Sequence, residues 1–236
     1  MELNKKDPQI YIFTGHYGSG KTEIAVNFAF HLKQMAPERK VAIADMDIVN
    51  PFFRTADAVK PLEEKGIRVE LPLYAQSNVD VPALTPQMQY LIEEKEVDLV
   101  LDIGGDDVGA KAVGRYKEAI GSRKYNLFFV LNKNRPFTKD LDSALKIYKE
   151  IEDSCGLCFT GIVNNTHLLQ YTKTETLEKG RDLAKELSEK TGTPLAFHCI
   201  FSDVWNKTTP TERKRFQEPV FPMQEYIKLL WNRASF

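Results

Sequence analysis

The sequence predicts an α/β fold of three layers, αβα, with helices on both faces of a mostly parallel central sheet. Three observations lead there. Short apolar runs rich in β-branched and aromatic residues alternate with longer segments of helical period, the pattern of successive βαβ units. Runs such as Leu99-Val100-Leu101 and Leu127-Phe128-Phe129-Val130-Leu131 show no polar alternation, as expected of strands covered on both faces. The chain has 236 residues, 42% hydrophobic and 28% charged, long enough to bury about 70–75% of its unfolded surface without a disulfide or structural metal. We expect one domain spanning the whole length.

In chain order, Gln9–Gly15 reads as a first, central strand. Lys21–Gln34 follows as a helix, because Ile24, Ala25, Phe28, Ala29 and Leu32 fall on one face. Lys40–Asp47 is the next strand and ends in two carboxylates. Ile48–Val81 is less regular, with a strand expected at Arg68–Leu71. Thr85-Pro86 supplies an N-cap and first-turn proline for a helix to Glu96. A strand at Asp98–Gly104, a helix at Ala110–Ile120, a strand at Tyr125–Asn132, a helix at Lys139–Asp153 and a strand at Phe159–Asn164 come next. The series closes with a helix at Glu175–Lys190, a strand at Leu195–Phe201, a surface loop at Asp203–Pro222 and a helix at Met223–Arg233.

Between the first strand and first helix lies Gly15-His16-Tyr17-Gly18-Ser19-Gly20-Lys21-Thr22, which fits G-x-x-x-x-G-K-[ST] in the context that motif requires. Its glycines let backbone N–H groups approach phosphate oxygens, and the helix N-terminus adds partial positive charge. Lys21 would place an ammonium on the β- and γ-phosphates, and Thr22 would offer its hydroxyl to Mg²⁺.

Ligands of open parallel sheets bind at the carboxyl ends of the strands, so polar residues there carry most weight. Asp45-Met46-Asp47, Asp102-Ile103-Gly104-Gly105 and Asn164-Asn165 end three predicted strands. Asp45 or Asp47 could cap the following turn. An acid directly after Leu99-Val100-Leu101 would cost several kcal/mol if buried without a partner.

With the 15–22 loop, the DxD at 45–47, the DxxG at 102–105 and Asn164, the sequence resembles the MinD/ParA branch of P-loop NTPases, the SIMIBI group. Nitrogenase iron protein, CooC proteins and the nucleotide domains of cobyrinate amidases also belong there. The resemblance implies ATP and Mg²⁺ as cofactors, with Lys21, Asp47 and Asp102 catalytic. Asp47 would orient the attacking water, and Asp102 would hold Mg²⁺ through a water. Asp45 would lie near the Mg²⁺–Lys21 cluster, with Thr22 a direct ligand. Gly15, His16, Tyr17, Gly18, Ser19, Gly20, Lys21 and Thr22 would cradle the nucleotide, Gly105 N–H would sense the γ-phosphate, and Asn164 would hydrogen-bond the adenine edge. The branch carries a second lysine after the first glycine, reaching across a nucleotide-sandwich homodimer; here that position is His16. Arg54 or Arg115 is the candidate replacement cation, and His16-Tyr17 reads equally as loop residues facing a partner or solvent.

Weaker signals have plain readings. Cys155-Gly156-Leu157-Cys158 with Cys199 gives three thiols where zinc or a cluster usually wants four, so buried free thiols are expected. Asp106 and Asp107 read as helix caps, as a partner or second-metal site, or as a nucleotide-sensitive segment. Phe52-Phe53-Arg54 reads as a core aromatic pair or a switch surface. Met223, Tyr226, Ile227, Leu230 and Trp231 make an amphipathic stripe, but its polar face has too few cations for membrane binding. Glu212–Arg215 reads as a solvated run. Leu131-Asn132-Lys133-Asn134 resembles the guanine-reading N-K-x-D with Asn134 in place of the aspartate.

Composition excludes other classes. The formal net charge of -1 gives no general field for nucleic acid. The polar opening residues are unlike a secretory signal, and no apolar run approaches the ~20 residues of a membrane span, so a cytoplasmic protein with reduced thiols is expected. The leading expectation is an ATPase switch acting on a protein partner, such as a maturation or activation factor for a metalloenzyme. The alternatives are an ATP-dependent small-molecule ligase or kinase, with its substrate near Asp106, Asp107 or Arg115, and a nucleotide-gated binding module with negligible turnover.

Overall fold

The computed structural model of the protein describes residues 7–47, 55–71, 86–105 and 107–227. Eight strands form one sheet: β1 (Ile10–Thr14), β2 (Lys40–Asp45), β3 (Ile67–Glu70), β4 (Val97–Asp102), β5 (Tyr125–Leu131), β6 (Gly161–Asn164), β7 (Leu195–Phe201) and β8 (Val220–Met223). Their order is β3-β2-β4-β1-β5-β6-β7-β8, and every pairing is parallel. All residues of β1 and β4 are buried, as the unbroken apolar runs require.

Helices cover both faces. On one, α1 (Lys21–Met35) and α2 (Val59–Glu64) pack over Tyr11, Phe13, Ile43, Val100, Phe128 and Phe197. Phe28 of α1 is the centre of this layer, with its ring 4.9 Å from Tyr11 and 5.2 Å from Phe13. On the other face, α3 (Pro86–Glu93), α4 (Asp107–Gly114), α5 (Lys117–Gly121), α6 (Leu141–Cys155) and α7 (Thr174–Thr191) cover Ile10, Ile12, Leu99, Leu101, Leu127 and Phe129. The three-layer arrangement agrees with the sequence expectation, and the sheet is wholly rather than mostly parallel.

Several boundaries differ for identifiable reasons. The single helix expected at Ala110–Ile120 is two, α4 and α5, broken at Arg115-Tyr116. Gly114 is a poor helix former, and the break lets Ile120 enter the core fully buried. The loop expected at Asp203–Pro222 instead holds α8 (Ser202–Lys207), α9 (Pro210–Arg213) and most of β8. A Thr209–Glu212 capping box with Pro210 in the first turn starts α9, so Glu212 serves a helix end rather than a solvated run. Pro222 is tolerated because β8 is an edge strand. In the irregular stretch after β2, Thr55–Ala58 forms a 3-10 turn that leads into α2.

The helix expected at Met223–Arg233 does not start there, since Met223 ends β8. Residues 224–227 run along α1. Gln224 N–H donates to Asn27 Oδ1 at 2.8 Å, and Asn27 Nδ2 donates to Gln224 O at 2.9 Å. The Glu23 carboxylate accepts from Tyr226 N at 2.8 Å and Ile227 N at 3.1 Å, while the Tyr226 ring stacks on Phe30. The expectations for Phe52, Phe53, Arg54, Thr85, Asp106, Leu230 and Trp231 lie outside the described residues.

At the amino end of the sheet, Asp98 is tied to its surroundings. Arg39 donates to both of its oxygens at 2.9 and 3.1 Å, and Gln9 N–H donates at 2.9 Å. Arg123 nearby caps the carbonyls of Leu91, Ile92 and Val97. Cys155 and Cys158, at the start of the α6–β6 connection, also lie toward this end, and all three cysteines are free. Cys155 packs in one core layer and Cys199 in the other, so the sheet separates them. Cys158 is exposed, contrary to the expectation of buried thiols.

Candidate active site

The strand register brings the site together. Asp45 at the end of β2 stands directly opposite Asp102 at the end of β4, and Asp102 opposite Phe13 of β1. The chain then leaves β1 through Gly15–Gly20 into α1, so the loop, both acids and Asp47 share one edge of the sheet. Met46 N–H bonds Asp102 O at 2.8 Å and Ile103 N–H bonds Phe13 O at 3.1 Å, locking the three strand exits together.

The loop is shaped by close approach. Gly20, the residue before α1, has φ 89°, and a β-carbon there would overlap the Asn165 side chain. Gly105 packs so tightly on the Gly15 carbonyl that no side chain fits, which presses the DxxG segment onto the Gly15–Gly20 loop. Side chains from two neighbouring connections take up loop carbonyls: Asn165 Nδ2 donates to Ser19 O at 2.7 Å, and Arg135 Nε donates to Gly18 O at 2.7 Å. The first-turn N–H groups of α1, which no helix can satisfy internally, are left at the mouth of this loop.

The electrostatics are unbalanced. Asp102 is 0% exposed, and neither oxygen has a hydrogen-bond partner. Burial pushes its carboxyl up to about 6, with the Asp47 charge adding to the rise. The Lys21 charge and the Thr22 hydroxyl pull the other way, although the hydroxyl does not complete a well-formed hydrogen bond. The Asp45 carboxyl is also raised well above the usual range, first by burial and then by the facing Asp102, even though its Oδ1 accepts from Asp47 N–H at 2.9 Å. Lys21 and Thr22 are buried beside them, and Ser19 Oγ is buried without a partner. Three acids, one ammonium and orphaned hydroxyl and carboxylate oxygens form a hard-oxygen donor set that suits Mg²⁺. Among the described residues no three His, Cys, Asp or Glu side chains form a complete metal cage. Mg²⁺ does not need one, since it keeps waters and shares substrate phosphates.

The remaining expected residues fall into place unevenly. His16 stacks on Phe137 at 4.3 Å with Nδ1 3.2 Å from Tyr17 O, and Tyr17 is 54% exposed, so both lie on the outside of the loop. Asn164 reaches the same strand end but is buried, its Nδ2 lying 3.0 Å from His198 Nδ1 and its Oδ1 accepting from Thr166 N at 3.2 Å. Arg115 lies just past the far end of α4, where Gly114 meets Ser154 and Cys155, and so stands toward the amino end of the sheet, away from the Gly15–Thr22 loop of its own chain. Asp107 opens α4.

The 131–134 segment forms a structural turn: Asn132 is buried, its Oδ1 accepts from Asn134 N–H at 3.0 Å, and Asn134 Nδ2 donates to His167 O at 3.3 Å. Sequence reasoning missed the two residues that brace the loop. Asn165 was visible as the neighbour of Asn164 at a strand end. Arg135 was visible as a cation just after a strand terminus.

No family model matches the chain, and no curated protein is similar to it at the sequence level. Solved structures do match. Chloroplast FtsY from Physcomitrella patens superposes with a TM-score of 0.53 at 17% identity, over 81% of this chain and 58% of that one. The cell division protein FtsY from Thermotoga maritima gives 0.51 at 19%, over 82% and 62%. The signal recognition particle receptor FtsY from Elizabethkingia anophelis gives 0.51 at 17%, over 82% and 59%. The chain has the P-loop NTPase fold. Its matched region spans about three-fifths of each of those proteins. In that fold the Gly15–Thr22 segment is the P-loop, and it sits between β1 and α1 as the fold requires.

Proposed function

We propose that this P-loop protein binds Mg²⁺·ATP and hydrolyses it slowly as a switch of the MinD/ParA type, coupling nucleotide state to a protein partner or a second copy. The observation that carries the reading is Asp102, a fully buried acid with neither oxygen bonded, next to Lys21 and Thr22. Such a group costs several kcal/mol unless a ligand answers it. Backbone N–H groups of the P-loop and the start of α1 would hold the phosphate chain, with Lys21 against its outer phosphates. Thr22 and Asp102 would hold Mg²⁺, with Asp45 beside them. The ion would supply charge stabilisation as the β–γ bridge breaks. Asp47 would orient the attacking water and accept its proton, and Gly105, already against Gly15, would report the γ-phosphate to the 104–107 segment.

ATP is favoured over GTP because Asn134 offers an amide where guanine reading wants a carboxylate, and that amide is engaged with His167. The ligase alternative loses Arg115 as a substrate anchor. Cytoplasmic residence fits the free thiols, and no described helix is long and apolar enough to cross a membrane. The test is phosphate release with Mg²⁺·ATP and Mg²⁺·GTP. We expect slow ATP turnover, lost in Lys21→Ala and Asp47→Ala. Undiminished turnover in both variants would rule the mechanism out.

A further inference from the structure

Arg135 is placed for more than bracing a loop. Its Nε donates to Gly18 O at 2.7 Å, and its guanidinium lies against the Gly18 α-carbon, where a β-carbon would be 3.2 Å from Nε. Gly18 lies in the middle of the P-loop, so the exposed guanidinium is held against the backbone of the loop whose N–H groups would take an anion. The arginine is itself pre-positioned, since the 132–138 turn closes through Arg135 N–H to Asn132 O at 3.1 Å and Thr138 N–H to Arg135 O at 3.0 Å. Phe137 in that turn stacks on His16, seating the whole segment over the loop.

Among the described residues no carboxylate pairs with Arg135, and neither Nη nitrogen has a hydrogen-bond partner. An arginine cannot shed its proton, so the charge is permanent. His167, whose titration Arg135 affects, is neutral at physiological pH, because burial and then Arg135 itself push the imidazole down to about 4. Lys133, on the same turn, is directed elsewhere, donating to Lys139 O at 2.9 Å. A guanidinium anchored at Nε, with its Nη donors unpaired among the described residues, has the donor chemistry that polyphosphate oxygens take.

We propose that Arg135 is a second phosphate-binding cation of the site, acting within the same chain and adding to Lys21 on the polyphosphate of the bound nucleotide. The inference rests on the nucleotide reading above, and its test separates the two. Calorimetric titration with AMP, ADP and a non-hydrolysable ATP analogue, each with Mg²⁺, would compare the unaltered chain with Arg135→Gln, Arg135→Lys and Lys21→Ala. Circular dichroism melting would confirm that each variant is folded. In Arg135→Gln we expect affinity for the ATP analogue to fall about tenfold, the size of one charge-assisted contact, and ADP less, with AMP unchanged. Arg135→Lys should retain most of the preference for longer phosphate chains. Adding His16→Lys to Arg135→Gln should restore part of it, because position 16 lies against the same turn. The logarithmic salt dependence of analogue binding should be shallower in Arg135→Gln. Equal losses for AMP, ADP and the analogue would reduce Arg135 to a backbone brace and overturn the proposal. So would unchanged binding in Arg135→Gln beside lost binding in Lys21→Ala, an outcome that leaves the ATP reading intact. No nucleotide binding by the folded unaltered chain would remove both.

Discussion

Asp98 and Asp102 stand at opposite ends of one strand, four residues apart and both buried, yet their surroundings have little in common. At the amino end Asp98 meets two nitrogens of Arg39 and the Gln9 N–H. At the carboxyl end neither Asp102 oxygen completes a hydrogen bond among the described residues, and only the Lys21 charge and the nearby Thr22 hydroxyl favour its charged form. Burial raises the Asp98 carboxyl too, but Gln9, Arg39 and Arg123 pull it back, so the protein itself answers that charge in part. Asp102 relies on Lys21 and faces two more acids. The difference separates a buried acid whose charge the fold answers from one whose charge it leaves open, the acid to which we assign Mg²⁺ binding.

The largest test of this contrast is Asp102→Asn. Phosphate release with Mg²⁺·ATP should drop by about 10³-fold, the scale of losing a charge preorganised for the transition state. The nucleotide-free melting temperature should hold or rise, because a buried uncompensated charge is gone. If Asp102→Asn destabilises the chain as much as Asp98→Asn does, the contrast fails. Asp98→Asn itself should cost about 3–5 kcal/mol in urea unfolding, because Arg39 loses its charge partner, while turnover per folded molecule is unchanged.

Acidity gives a smaller, signed effect. The Asp102 carboxyl at about 6 keeps its proton in the folded chain over a range where the unfolded chain, with an ordinary aspartate near 4, has released it. Lowering the pH from above 6 toward 4 therefore stabilises the nucleotide-free protein through this group, by roughly 1–3 kcal/mol. The stability difference between Asp102→Asn and the parent should shrink across that window, and a constant difference would contradict the assignment. The smallest effect is at Asn165. Asn165→Ala removes one bond to Ser19 O, which should cost about 1 kcal/mol of stability and weaken nucleotide binding severalfold.

How far the sequence alone reached follows from what each feature depends on. Strands such as Leu127–Leu131 and helices such as α1 were readable because burial on both sheet faces or on one helix stripe leaves a periodic trace. The P-loop was readable because its glycines are demanded by backbone geometry at fixed spacing. The short α9 reads as loop in sequence because its capping box, Thr209 and Glu212, looks like part of a charged run until the backbone is known. β8 was missed because Pro222 argues against a strand anywhere except at an edge. The roles of Asn165 and Arg135 depend on contacts spanning 146 and 117 residues, and no local pattern encodes such distances. Asp98 and Asp102 look alike in sequence, since both flank Leu99-Val100-Leu101; only their neighbours in space tell them apart.

The stitching of residues 224–227 onto α1 bears on how the protein is made. Glu23, directly after the P-loop threonine, finds its donors 203 and 204 residues later, and Asn27 finds its partner 197 residues later. A ribosome releases the phosphate loop early and these partners late. Through most of synthesis Glu23 has only Asn27 of its own helix as a donor, and the two backbone N–H groups that complete its folded-state set arrive when nearly all of the chain described here has emerged. Nucleotide added to a nascent chain stalled before residue 224 should therefore find an unfinished receptor.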